Sequence, residues 1–180
     1  MSRVTTDDSV AGMVRSLEEG TSRRAAALAD RLLHGADALA AFASSLTEVE
    51  WQTPLPKDGR KIGVVVHHVA SVYPVEIQLA QTVAGGEAVA GLTSADIDQM
   101  NARHAVDHDA VTKEETVRLL RRNSADAAAV IRGLSDEELD RAVRVSLYSN
   151  ATLTTQFVLE DHAVRHSYHH LARIRVALGR

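Results

Sequence analysis

The chain contains no cysteine, and this absence removes three chemistries at once. Disulfide staples, a cysteine nucleophile and a thiolate metal site are all excluded. Thiol chemistry would need a thiol brought in by a cosubstrate. Proline is scarce, with 3 in 180 residues, and so are aromatics: one tryptophan, three tyrosines and two phenylalanines. Alternating runs of β-branched residues, the mark of half-buried strands, are rare. Net charge is −4, and basic residues cluster no further than pairs such as Arg23-Arg24 and Arg121-Arg122. The basic stripe that a nucleic-acid partner requires is missing. Apolar runs fall short of the ~18 residues that signal a membrane span. Residues 1–20 lack the apolar centre of a signal peptide. The expectation is a cytoplasmic protein that engages neither membrane nor nucleic acid.

What is present is alanine, concentrated in residues 24–43, within a composition that is 45% hydrophobic and 24% charged. Alanine loses no side-chain entropy in a helix. The length predicts one domain over residues 1–180. Residues 22–46 repeat Ala27, Leu28, Leu32, Leu39, Phe42 and Leu46 at roughly helical spacing, with Thr21 or Ser22 as cap. Residues 7–17 read as a short preceding helix capped by Asp8 or Ser9, and residues 48–59, with two prolines, Asp58-Gly59 and Trp51, as a loop. A second helix covers residues 61–84, where Val65, Val69, Val72, Val75 and Leu79 share a face and Pro74 predicts a kink or a shifted boundary. Residues 85–111 form a long connection with a short helix near 94–105. About 27 residues are enough to cross a bundle ~35 Å long, so the second and third helices are expected to run parallel. The third helix spans residues 112–133, opened by a Thr112/Glu115 capping box and stopped at Gly133. Residues 135–139 make a short helical turn, and the fourth helix runs from 152 to 178. The fold class is all-α: a four-helix bundle with a long crossover between the second and third helices.

Nine histidines occur, six of them in two groups: His67 and His68 on the second helix, and His162, His166, His169 and His170 on the fourth. Residues four apart share a helix face, with Cβ atoms about 5–6 Å apart, so two imidazoles can reach one cation. Spacing alone leaves His162/His166 and His166/His170 both open, with His166/His169, three apart, as a weaker third option. A further ligand must come from another helix, and His68 lies nearer than His67 to the centre of the second helix's apolar face. His67, His162 and His169 are then expected to line the pocket, orient the ligands or face solvent. His34, His104 and His108 stand apart and read as ordinary core or surface residues.

Three stretches resemble the DinB-like superfamily, which includes mycothiol-dependent maleylpyruvate isomerases and related thiol transferases. They are KIGVVVHHVASV at residues 61–72, HSYHHLARI at 166–174, and LTSADIDQMNARHA at 92–105 followed by LSDEELDRAV at 134–143. The likeness covers about residues 22–178. It implies an up-down-down-up bundle, frequent homodimers, and metal ligation by His68, His166 and His170. The family's usual glutamine three residues after the last ligand is Arg173 here, a cation that changes the site's preference for anions.

Three neutral imidazoles would leave coordination positions open, as catalytic sites do. The expected cofactor is one divalent ion; imidazole suits zinc, nickel, copper and iron, with zinc or nickel foremost. The leading expectation is a metal-dependent transferase or isomerase that joins a small-molecule thiol of the mycothiol kind to an electrophilic substrate. The alternatives are a metal-dependent hydrolase and a non-enzymatic metal-binding or stress-related protein. Asn101, in the crossover, is a candidate pocket residue. Glu160 and Asp161 are candidate carboxylates for orienting the imidazoles, although acidic side chains more often face solvent. Because ligating histidines must be neutral, metal affinity is expected to fall on acidification through about pH 6.

Overall fold

Ser22 starts the first long helix by accepting a hydrogen bond from the Ala25 amide at 3.0 Å. The computed structural model describes residues 22–56 and 58–180, so the short helix expected at residues 7–17 lies outside the described residues. Helix α1 is Arg23–Ser45, α2 is the short Glu48–Trp51, and α3 is Ile62–Ala84. The crossover carries α4, Ser94–Asp107, and leads to α5, Lys113–Arg132. A short α6, Asp136–Asp140, precedes a hairpin of β1, Ala142–Val145, and β2, Ala151–Thr154. The last helix has three parts: α7, Thr155–Leu159; a π turn, Glu160–Val164; and α8, Arg165–Ala177.

Contacts between helix ends give the topology. Lys113 at the start of α5 bonds the carbonyl of Leu46 just past the end of α1, and Arg132 at the end of α5 pairs with Asp30 near the start of α1. Those two helices are antiparallel. Lys61 beside the start of α3 pairs with Asp109 just before α5, and Arg141 past α5 bonds the Ala84 carbonyl at the end of α3. Those two are parallel. Arg31 pairs with Glu160, and Arg175 lies over the Phe42 ring, so α1 and α8 run parallel as well. The order is up-down-down-up, and α4 makes the crossover.

Helix α3 is the apolar centre. It is long and apolar enough to cross a membrane by length and composition, but most of its apolar surface is covered within the bundle by α5 and the last helix. Pro74 does not end it, and α3 runs unbroken through residue 74. A proline deprives the carbonyl four residues earlier of its helical donor; here that is the Ala70 carbonyl, and Asn123 Nδ2 on α5 donates to it at 2.8 Å. Val72 and Leu79 are only half-buried and Val75 is 55% exposed. That end of the expected apolar face walls a cavity instead of joining the core.

Three local features depart from expectation. Part of the loop at 48–59 is helical, because Thr47 and Glu50 form a reciprocal capping box; Trp51, 1% exposed, then donates from Nε1 to the Val111 carbonyl at 3.0 Å. At Thr112 only half of the expected box forms: its hydroxyl caps the Glu115 amide and bonds the Glu115 carboxylate. The bundle also carries a hairpin that its helical composition hides. Ser149 and Asn150, with φ of 55° and 60°, make its turn, and residues 152–154, expected to be helical, are its second strand. The fourth helix therefore begins at Thr155, capped by Thr154.

Candidate metal centre

His68 comes from the buried side of α3, and His166 and His170 come from one face of α8. Ring centroids lie 5.1 Å apart for His68 and His166, 5.6 Å for His68 and His170, and 4.9 Å for His166 and His170. One nitrogen from each ring falls within 4.8 Å of the others. Around a tetrahedral zinc with bonds of 2.0–2.1 Å the nitrogens would be about 3.3 Å apart, so side-chain shifts of ~1 Å would close the site. The donor set fits a borderline divalent ion. His170 Nδ1 is buried with no protein partner, a state that costs about 1–3 kcal/mol unless something else satisfies it.

Electrostatics keep the rings ready to ligate. Burial, reinforced by the neighbouring His166, pushes His68 down to about 3 and His170 down to about 2. Both are neutral, with a free lone pair, across the physiological range. For these two rings the expected competition with protons near pH 6 therefore moves to far lower pH, because burial has already disfavoured the charged form.

Glu76, two turns beyond His68, is the only Asp, Glu, Lys or Arg in α3. It is 7% exposed, and its Oε1 accepts from His166 Nδ1 at 2.5 Å. This bond sets the His166 tautomer and leaves Nε2 with the lone pair. Glu76 Oε2 is buried with no protein partner. Its standing as the one carboxylate in a helix without Lys or Arg is the sequence signal for it. Glu160 and Asp161 do not fill that role: Glu160 pairs with Arg31 at 2.8 Å, and Asp161 accepts from the Tyr148 hydroxyl.

The remaining histidines divide by local structure. The π turn widens the helix between His162 and His166 and breaks their simple four-residue register. His162 instead lies 3.0 Å from the Tyr148 hydroxyl and lines the cavity. His169 is exposed, 5.1 Å edge-on to His170, and faces a separate outer groove. His67 does not join the triad. Its ring lies 4.1 Å from His108 and 5.1 Å from His104, so the reading of those last two as isolated residues is corrected: the crossover folds them back onto α3.

The triad opens into a cavity of about 560 Å³. One wall is apolar, from Val72, Val75, Leu79, Ile97, Met100 and Leu147, and Asn101 lines the cavity from α4. Arg173 also lines it and bonds Asp58 Oδ2 at 2.9 Å. Arg60, which no sequence motif singled out, forks onto both Asp58 oxygens at 2.6 and 2.8 Å. The hydrogen bond from Arg60, helped by Arg173 and opposed by desolvation, holds the Asp58 carboxyl below the usual carboxylate range. Two guanidiniums against one carboxylate leave this side net positive, and Arg60 Nη1 is buried without a protein partner.

Such a molecule falls among four-helix bundles whose facing helices converge histidines able to take a metal ion. The chain belongs to the DinB superfamily, whose family model matches residues 31–174. It is similar in structure to YfiT from Bacillus subtilis, with a TM-score of 0.70 and 19% identity over 88% of this chain and 90% of that one. YfiT is described as "a probable metal-dependent hydrolase with an unusual four-helix bundle topology". No curated protein matches the chain in sequence.

Proposed function

We propose that the protein is a metal-dependent hydrolase whose ion, zinc or nickel, is held by His68, His166 and His170. The observation that carries this reading is Glu76, a buried carboxylate beside the cavity that orients one triad ring through Oε1 and has no protein partner on Oε2. An ion held by the triad would supply Lewis acidity, lowering the pKa of water and polarising a carbonyl. Glu76, the carboxylate bonded to the triad, would accept the proton of the attacking water. Arg60 and Arg173 favour a substrate with an anionic group, and the apolar wall takes its hydrocarbon part. The description of YfiT agrees with this reading. The test is ester and amide cleavage by chelator-stripped and metal-restored protein, with Glu76→Gln as control. Metal-dependent turnover without added thiol, lost in Glu76→Gln, is expected. Inactivity of every metal form across carboxylate-bearing esters and amides would refute the proposal.

A second reading, transfer of a small-molecule thiol, rests on the cavity. At about 560 Å³ it can hold a low-molecular-weight thiol beside an electrophile, and a divalent ion deprotonates a bound thiol. Product that forms only when mycothiol or bacillithiol is added would decide for this reading.

A further inference from the structure

His67, His104 and His108 form a second histidine cluster that the triad does not use. Ring centroids are 4.1 Å apart for His67 and His108, 4.6 Å for His104 and His108, and 5.1 Å for His67 and His104. One nitrogen from each lies within 4.8 Å of the others, as in the triad. The construction repeats the triad's: a four-residue pair at the end of one helix, His104 and His108, faces a single ring from α3. All three rings are half-buried, so solvent can deliver an ion. His67 Nδ1 and His104 Nε2 approach to 2.9 Å, near the spacing two ligands of one cation adopt. His104 Nδ1 is buried without a partner. The Ser71 hydroxyl lies 3.2 Å from His104 Nε2.

We propose that His67, His104 and His108 bind a second divalent metal ion of the imidazole-preferring kind, beside the first. The two clusters adjoin, since His67 and His68 are consecutive and the His68 and His104 rings lie 5.5 Å apart. The second ion acts as a clasp. Helix α4 has no fully buried residue, so few apolar contacts hold it to the bundle. Two ligands at the C-terminal end of α4, His104 within it and His108 just past it, and one on α3 pin it, and α4 supplies Ile97, Met100 and Asn101 to the cavity wall. An ion there steadies the wall of the pocket without entering it.

The test is zinc stoichiometry, by equilibrium dialysis and elemental analysis of the full chain stripped with chelator and reloaded with zinc alone. The wild type is expected to bind two equivalents, His108→Ala one and His170→Ala one. His67→Gln serves as the second variant, and circular dichroism checks that each remains helical. Zinc should also slow tryptic cleavage after Arg103 in His170→Ala but not in His108→Ala. One equivalent in the wild type, unchanged in His108→Ala and His67→Gln, would overturn the second site and leave the triad standing. Two equivalents unaffected by either variant would overturn it as well. Loss of all zinc in His170→Ala would refute independent binding at the second cluster.

Discussion

Acidifying the metal-free protein from about pH 7.5 to about pH 5.5 should destabilise it by roughly 3 kcal/mol through two residues alone. His68 and His170 have folded-state values of about 3 and about 2 against 6.5 for free histidine. Below 6.5 the unfolded chain takes up protons that the folded chain refuses, so stability falls with pH in this window and is flat above it. Each ring contributes RT ln(1 + 10), about 1.4 kcal/mol, one unit below the free value. Both are under a tenth exposed, which leaves solvent little part in this figure. His67 and His104, each lowered to about 4 mainly by burial, act in the same direction. Asp58 is depressed, so its contribution is present above its unfolded value of 3.8 and is lost only below the window. For a domain of this size the two rings correspond to a fall in Tm of about 6–12 °C. Calorimetry of chelator-stripped protein across the window measures it. A Tm that moves by less than about 2 °C would refute the burial argument. So would an undiminished fall in a His68→Gln/His170→Gln variant.

Replacing Glu76 with glutamine should lower zinc affinity about 10–100-fold, since the carboxylate no longer orients His166; competition with a chromophoric chelator reads this directly. While the chain stays folded, zinc binding should persist to about pH 5, because two ligands are already neutral there; a steep loss near pH 6 with helicity intact would contradict this. Gly63→Ala places a methyl group 2.4–2.5 Å from the Trp51 ring and should cost about 1–3 kcal/mol in urea unfolding. Asn123→Ala should cost about 1 kcal/mol. That cost should shrink in a Pro74→Ala background, where the Ala70 carbonyl regains a helical donor; equal costs in both backgrounds would remove the proposed compensation.

Periodicity located the long helices because an amphipathic helix repeats its apolar positions every three to four residues, a strictly local rule. The crossover length implied parallel second and third helices for a similarly simple reason of reach. The capping pairs Thr47/Glu50 and Ser135/Glu138 are equally local, although the first lies next to the prolines of a stretch that reads as loop. The hairpin escaped because its strands are 4 residues each and its turn uses Ser149 and Asn150 without glycine.

His68, His166 and His170 were legible as a group because one helix carries two at a repeat of four, and resemblance chose between the overlapping pairs. Convergence is another matter. Which rings share a point in space depends on helix rotation and on the π turn that turns His162 toward Tyr148. Glu76 meets His166 90 positions away, Arg173 meets Asp58 115 positions away, and His67 meets His104 37 positions away. Local spacing carries no record of such meetings. Helix identity is decided by neighbours within a turn, whereas a site assembled across helices is decided by how whole helices pack.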